Sequence, residues 1–129
     1  MQLESQTNVS KSPEKVYDFL MKVENYEKLM PESNQRFEIL NVKSFLFQLS
    51  GMPEIQLEIK DSKLHEKVVL GSLGEKLPFT LTANISEISE NESKVQLLFE
   101  GTFNSMMGMM IKGPIQKFIN TLSENLGKI

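Results

Sequence analysis

VQLLFEGTFNSMMGMMIKGPIQKFINTL, residues 95–122, contains a change of period that decides the fold. Up to Phe103 the apolar side chains alternate, with Val95, Leu97, Phe99 and Phe103 on one side, as in a strand covered on one face. Beyond Asn104 the period is that of a helix. At about 100° per residue counted from Phe118, the residues Met107, Ile111, Pro114, Ile115, Phe118 and Leu122 fall in one stripe roughly 100° wide. Met110 lies on the flank of this stripe and Met109 points away from it. Asn104 or Ser105 is a suitable N-cap. Pro114 removes one backbone hydrogen bond and crowds the preceding turn, so a bend is expected near Met110 to Gly113. A long helix with one apolar stripe needs an apolar surface to lie against.

That surface is legible upstream. From residue 35 to 103 the period is two. Phe37 and Ile39 share a side, as do Phe45, Phe47 and Leu49. EIQLEIKDS, residues 54–62, is the cleanest case: Ile55, Leu57 and Ile59 face one way, Glu54, Gln56, Glu58 and Lys60 the other. Phe79, Leu81, Ala83 and Ile85 repeat the pattern. Turn chemistry separates the runs at Gly51-Met52-Pro53, Gly74-Glu75-Lys76 and Glu90-Asn91-Glu92. Strands with one apolar and one polar face predict an antiparallel sheet covered on one side.

The first thirty residues complete the plan. Leu3, Ser5, Thr7 and Val9 share a face of an opening strand. Ser12 is a good N-cap, Pro13 suits the first helical position, and Glu14 favours the positive end of the helix dipole. Val16, Phe19, Leu20 and Val23 then form a helical stripe. Tyr26 and Leu29 belong to a second short turn of helix, which Pro31 ends.

The chain has 129 residues, enough for one domain, and its 40% apolar and 24% charged composition is that of a globular protein. A net charge of −3 argues against nucleic-acid binding, which normally needs a basic face. No apolar run is long enough to span a bilayer, and the N-terminus lacks the pattern of a signal peptide, so a cytoplasmic protein is expected. The absence of cysteine excludes disulfides, thiol catalysis and cysteine-based metal sites. His65 is the only histidine. Alternation places it outward beside Lys67, and without a second histidine no metal site is expected.

The order strand, short helix pair, run of antiparallel strands and long last helix resembles the START/Bet v 1-like (SRPBCC) superfamily, as found in its small single-domain bacterial members. The local matches are SPEKVYDFLMKVENYEKLMP, residues 12–31, which looks like the family's opening helix pair, and the amphipathic last helix. The resemblance spans residues 1–129 as a single domain. It implies an α+β helix-grip fold, a curved antiparallel sheet wrapped around the C-terminal helix. It also implies binding of a small apolar or amphipathic ligand (lipid, polyketide or quinone-like) in the cavity between sheet and helix, with no cofactor and no specified protein partner.

In that reading Phe47, Leu57, Ile59, Phe79, Leu81 and Phe103 line the concave face of the sheet, and Met107, Met110 and Ile111 line the helix side. Four methionines within residues 106–110 carry two open readings. Unbranched, polarizable methionine fills irregular core gaps, and it also lines surfaces that accept varied apolar partners. The rival functions are a cyclase- or hydrolase-like enzyme using the same cavity, and a packed interaction module in which the region around Met109 docks a protein or a membrane. Tyr17, Tyr26, Ser5, Thr7 and Asp61 are the polar groups open to an enzyme. No pair among them has a spacing that reports acid–base work, so no catalytic residue is assigned.

Overall fold

The structure, a computed structural model, describes residues 1–74 and 77–129. Strand β1 (Gln2–Val9) leads through helix α1 (Pro13–Leu20) and a short 3-10 helix (Val23–Leu29) into six further strands. These are β2 (Asn34–Asn41), β3 (Ser44–Leu49), β4 (Ile55–Lys63), β5 (Lys67–Ser72), β6 (Phe79–Ser89) and β7 (Glu92–Gly101), and helix α2 (Ser105–Leu126) closes the chain. One sheet of order β1-β7-β6-β5-β4-β3-β2 holds all seven strands, with antiparallel pairing throughout. The helix-grip expectation holds. Glu75 and Lys76 of the third expected turn lie outside the described residues.

Local chemistry sets the opening helices. Ser12 Oγ accepts from Lys15 N at 3.3 Å and Pro13 starts α1, as the capping signal requires. The last carbonyls of α1 have no helical partner and are taken by the next element. Tyr26 Oη donates to Leu20 O at 2.7 Å and Asn25 Nδ2 donates to Phe19 O at 2.9 Å. The Asn-Tyr pair therefore folds the short helix back against α1. Burial pushes the Tyr26 hydroxyl well above the usual tyrosine range, because the site excludes the water that a phenolate needs.

The apolar faces close on one another as the alternation predicts. Val9, Phe45, Phe47, Leu57, Val68, Leu81, Val95 and Phe99 are buried on the sheet. Phe47 stacks on Phe118 of α2 with ring centroids 5.0 Å apart, and Phe45 stacks on Tyr26 at 4.9 Å. These two pairs tie β3 to the short 3-10 helix and to α2.

Helix α2 begins at its N-cap Asn104, whose side chain accepts from Met107 N at 2.8 Å, and runs unbroken through Pro114 to Leu126. It lies along β1 and β7 and over the short helix. Gln116 Nε2 donates to Glu4 O at 3.2 Å, and Asn125 Nδ2 donates to Leu29 O at 2.9 Å. At the far end Gly127 approaches β1 so closely that an added Cβ would sit 2.7 Å from Thr7 Oγ1.

The buried arc of α2 differs from the expected one. Ile111, Ile115, Phe118, Ile119, Leu122, Ser123 and Leu126 are buried, whereas Pro114 is exposed. At about 100° per residue this arc is turned by about 60° from the stripe expected from the sequence. The reason is the partner surface: α2 packs towards the β1 edge and the short helix, so Ile119 and Ser123 are covered and Pro114 faces out. A second difference concerns β2. Ile39, expected on the covered face, is 53% exposed, because β2 is an edge strand beyond the reach of α2 and its pairing with β3 is irregular at both ends.

Candidate functional site

Phe47, Leu57, Ile59, Phe79 and Leu81 are all buried on the inner face of the sheet, and Ile111 of α2 joins them in one apolar cluster. Phe103 and Met107 are half-buried at its margin. Met110 stands apart, 66% exposed on the outer side of α2, with Met106 at 74% and Met109 at 83%. The methionine cluster is thus divided: one member touches the core and three face solvent.

The sheet and α2 part at one end. A cleft of about 350 Å³ opens between the segment after the short helix (Pro31, Ser33), the end of β3 (Leu49, Ser50) and the middle of α2 (Gly113, Pro114, Lys117, Phe118). Its construction follows from the sequence of α2. Gly113 has no side chain, and a Cβ built there would meet nothing within 4 Å. Pro114 is short and turned outward, which leaves space that a long side chain would fill. The floor is the Phe118 ring, backed by Phe47. Among the described residues Lys117 is the only charged one lining it, so the cleft has an apolar floor with one cation at its rim. Among the expected ligand-contacting residues, Phe47 lies directly behind this floor. Pro31, Ser33, Leu49, Ser50 and Lys117 had not been marked by the sequence, since they meet only through tertiary contact. The Gly113-Pro114 pair within α2 was the one available signal.

The polar candidates lie elsewhere. Strict alternation would turn Asp61 to the same side as Ile59. A bulge in the β4–β5 pairing between Ile59 and Asp61 reverses the parity, because Lys60 is an extra residue with no partner. Asp61 is consequently exposed, and Ser62 opposite Val68 faces inward, where its Oγ lies 3.0 Å from the Tyr17 hydroxyl. His65 does not continue a strand. It occupies the β4–β5 turn at φ 61° and sets its ring edge-on to Tyr17 with centroids 5.7 Å apart. Tyr17, Ser62 and His65 thus latch α1 to the hairpin. Ser5 and Thr7 are half-buried on β1.

A wider, more open cleft of about 570 Å³ lies beside this latch, walled by Glu14, Glu66, Glu87 and Glu90 with His65. Among the described residues no group of three or more His, Asp or Glu side chains is placed to hold a metal ion.

A curled antiparallel sheet gripping a long C-terminal helix, with a helix pair after the first strand, defines the START/Bet v 1-like (SRPBCC) fold. Comparison with solved structures agrees. The fold is similar to that of norcoclaurine synthase from Thalictrum flavum, solved with dopamine and hydroxybenzaldehyde, at TM-score 0.75 and 8% identity, over 99% of this chain and 84% of that one. It is also similar to the Aha1 dimer from Colwellia psychrerythraea, at TM-score 0.64 and 12% identity, over 100% of this chain and 99% of that one. A third similar structure is the di-domain ARO/CYC BexL, at TM-score 0.69 and 11% identity, over 98% of this chain and 46% of that one. At these identities the likeness is one of fold. No family model matches the chain, and no curated protein matches it.

Proposed function

We propose that the protein binds a small apolar or amphipathic molecule (lipid, polyketide or quinone-like) between the sheet and α2, and that the cleft over Phe118 is its point of entry. One observation carries this reading: the grip opens at an apolar-floored cleft of about 350 Å³ whose only charged lining side chain among the described residues is Lys117. A volume of that size is at the lower end of small-molecule sites, which fits a compact ligand or the head of a longer one. Such a floor contributes area-proportional affinity, and a peripheral cation orients an acidic or strongly polar end. The candidate ligand contacts expected from the sequence (Phe47, Leu57, Ile59, Phe79, Leu81, Phe103, Met107, Met110 and Ile111) divide accordingly. Phe47 stacks behind the Phe118 floor of the cleft, and the other eight are not among the residues that line it.

The fold also occurs in norcoclaurine synthase and in a protein described as ARO/CYC, so an enzyme is the second reading. It ranks behind binding because Tyr17 and Asp61 lie at the β4–β5 hairpin, and the cleft offers only Ser33, Ser50 and Lys117 as polar side chains. Neither reading needs a cofactor. No helix of the described residues is long and apolar enough to cross a membrane, and we take the protein to work in the cytoplasm.

The test is titration with an apolar fluorescent dye and with a fatty acid, on the wild type and on Ser50→Trp. Ser50 is exposed at the lip of the cleft, so an indole there blocks the opening with little effect on folding. Saturable wild-type binding in the micromolar range, weakened about tenfold by the variant, is expected. Equal affinities for the two proteins would remove the cleft from the binding path.

A further inference from the structure

Four of the eight methionines occupy the first turns of α2, and a fifth, Met1, lies against Gly108 of the same turns, its Cε 3.2 Å from where a Cβ would stand. The helix divides the four. At about 100° per residue, Met109, Met106 and Met110 share an arc about 100° wide, and Met106 points directly away from Ile115 in the buried arc. Met107 stands between Met110 and that buried arc. Exposure follows the same division: Met109, Met106 and Met110 are 83%, 74% and 66% exposed, whereas Met107 is half-buried and packed against the core. The other methionines are better covered than the three. Met1 is 38% exposed, Met21 and Met30 are half-buried against the core, and Met52 is buried. The next turn of α2 adds little cover. Gly113 neighbours both Met109 and Met110 and has no side chain to lay over either, and a Cβ built there would meet nothing within 4 Å.

We propose that Met106, Met109 and Met110 form a surface oxidation site for hydroperoxides, which turns the outer face of α2 from apolar to polar while the fold stays intact. The chemistry balances at each sulfur. A thioether lone pair attacks one peroxide oxygen, the O–O bond breaks, and that oxygen stays on sulfur as the sulfoxide. The other oxygen takes up the proton of the transferred one and leaves as water, or as an alcohol from an organic hydroperoxide. Sulfur loses two electrons and the peroxide gains them. Susceptibility follows exposure, so these three react first. Each of their sulfoxides projects into water, where its dipole is solvated and no core contact is lost. Oxygen on Met107 or Met52 would instead set that dipole against apolar side chains, which burial disfavours. The inference rests on the phase of the helix and is independent of the cleft.

Timed exposure of the native protein to hydrogen peroxide tests it. Intact mass counts the oxygens, peptide mapping places them, and thermal melting and hydrophobic-interaction chromatography are run on the same samples. Oxygen is expected on Met106, Met109 and Met110 at least about tenfold faster than on Met107 or Met52, with Met1 in between. Melting should be unchanged when the three are oxidised, and the protein should leave the apolar column earlier. In denaturing urea the rates should converge, since the fold no longer covers any sulfur. The combined change Met106→Leu, Met109→Leu and Met110→Leu keeps an apolar surface of similar volume, so it should melt as the wild type does and lose the fast phase. The proposal is overturned if Met107 or Met52 keeps pace with the three, if melting falls as the first three oxygens enter, or if the elution does not change. A fast phase that survives in the leucine variant, or a spread of rates that persists in urea, would also overturn it.

Discussion

Replacing Phe118 by alanine probes the joint between sheet and helix and the floor of the cleft at once. The ring is 4% exposed and stacked on Phe47 with centroids 5.0 Å apart. Truncating a buried phenylalanine costs about 3–5 kcal/mol, which includes the void left behind. The aromatic pair adds about 0.5–1.5 kcal/mol beyond area burial. One edge of the ring already meets an open cleft, so water or a shift of Leu49 can reach the vacated space, and the void contribution should be small. The expected loss is therefore about 3 kcal/mol, near the lower end of the range. For a chain of 129 residues this lowers the melting temperature by about 10 °C. Phe118→Leu keeps most of the volume and should cost about 1 kcal/mol. Urea unfolding of the three proteins, with slopes compared to confirm a common transition, measures both differences. The dye titration should then show Phe118→Ala binding a bulky probe at least as well as the wild type, because the cleft has deepened. A loss below about 1 kcal/mol for Phe118→Ala would refute the reasoning, since a ring that grips Phe47 must cost more than that to remove.

Three further outcomes follow from particular contacts. Ser123 Oγ is buried without a hydrogen-bond partner among the described residues, so Ser123→Ala should be neutral or stabilising by up to about 1 kcal/mol in urea unfolding, as a hydroxyl with no partner gains nothing from burial. Tyr26 has a pKa raised from its ordinary value of 10.0 by burial, so the folded state disfavours its phenolate. Stability is then complete below about pH 10 and falls as the pH rises beyond it; Tyr26→Phe should flatten that fall and cost about 1–2 kcal/mol at neutral pH by leaving Leu20 O without its donor. Two glycines should respond oppositely. Gly101→Ala places a Cβ 2.9 Å from Pro78 O and 2.7 Å from the Phe103 ring and should cost about 1–3 kcal/mol, whereas the three atoms nearest a Cβ at Gly71 all belong to the flexible Lys60 side chain, so Gly71→Ala should stay within about 0.5 kcal/mol of wild type.

The elements of this fold were legible because their signals are local. Alternation at Ile55, Leu57 and Ile59 or at Phe79, Leu81, Ala83 and Ile85 reports a strand with one covered face wherever the strand ends up. Asn104, and Ser12 with Pro13, start helices by satisfying their own first amides. The change of period after Phe103 required a sheet followed by a helix long enough to cover it, and composition excluded cysteine chemistry. From these the helix-grip architecture follows. What the local signals do not contain is the phase between elements. One unpaired residue at Lys60 turned Asp61 outward and Ser62 inward, a change that no run of apolar letters announces. The direction from which β1 and the short helix approach α2 set which side of the stripe is buried. It brought Ile119 and Ser123 into the core and left Pro114, Met106 and Met110 outside. The cleft belongs wholly to that second level. Pro31, Leu49 and the Gly113–Phe118 stretch are distant from one another in sequence and are brought together only by tertiary packing, so the sequence alone determined that α2 would be gripped, and the packing of β1 and the short helix decided where the grip stays open.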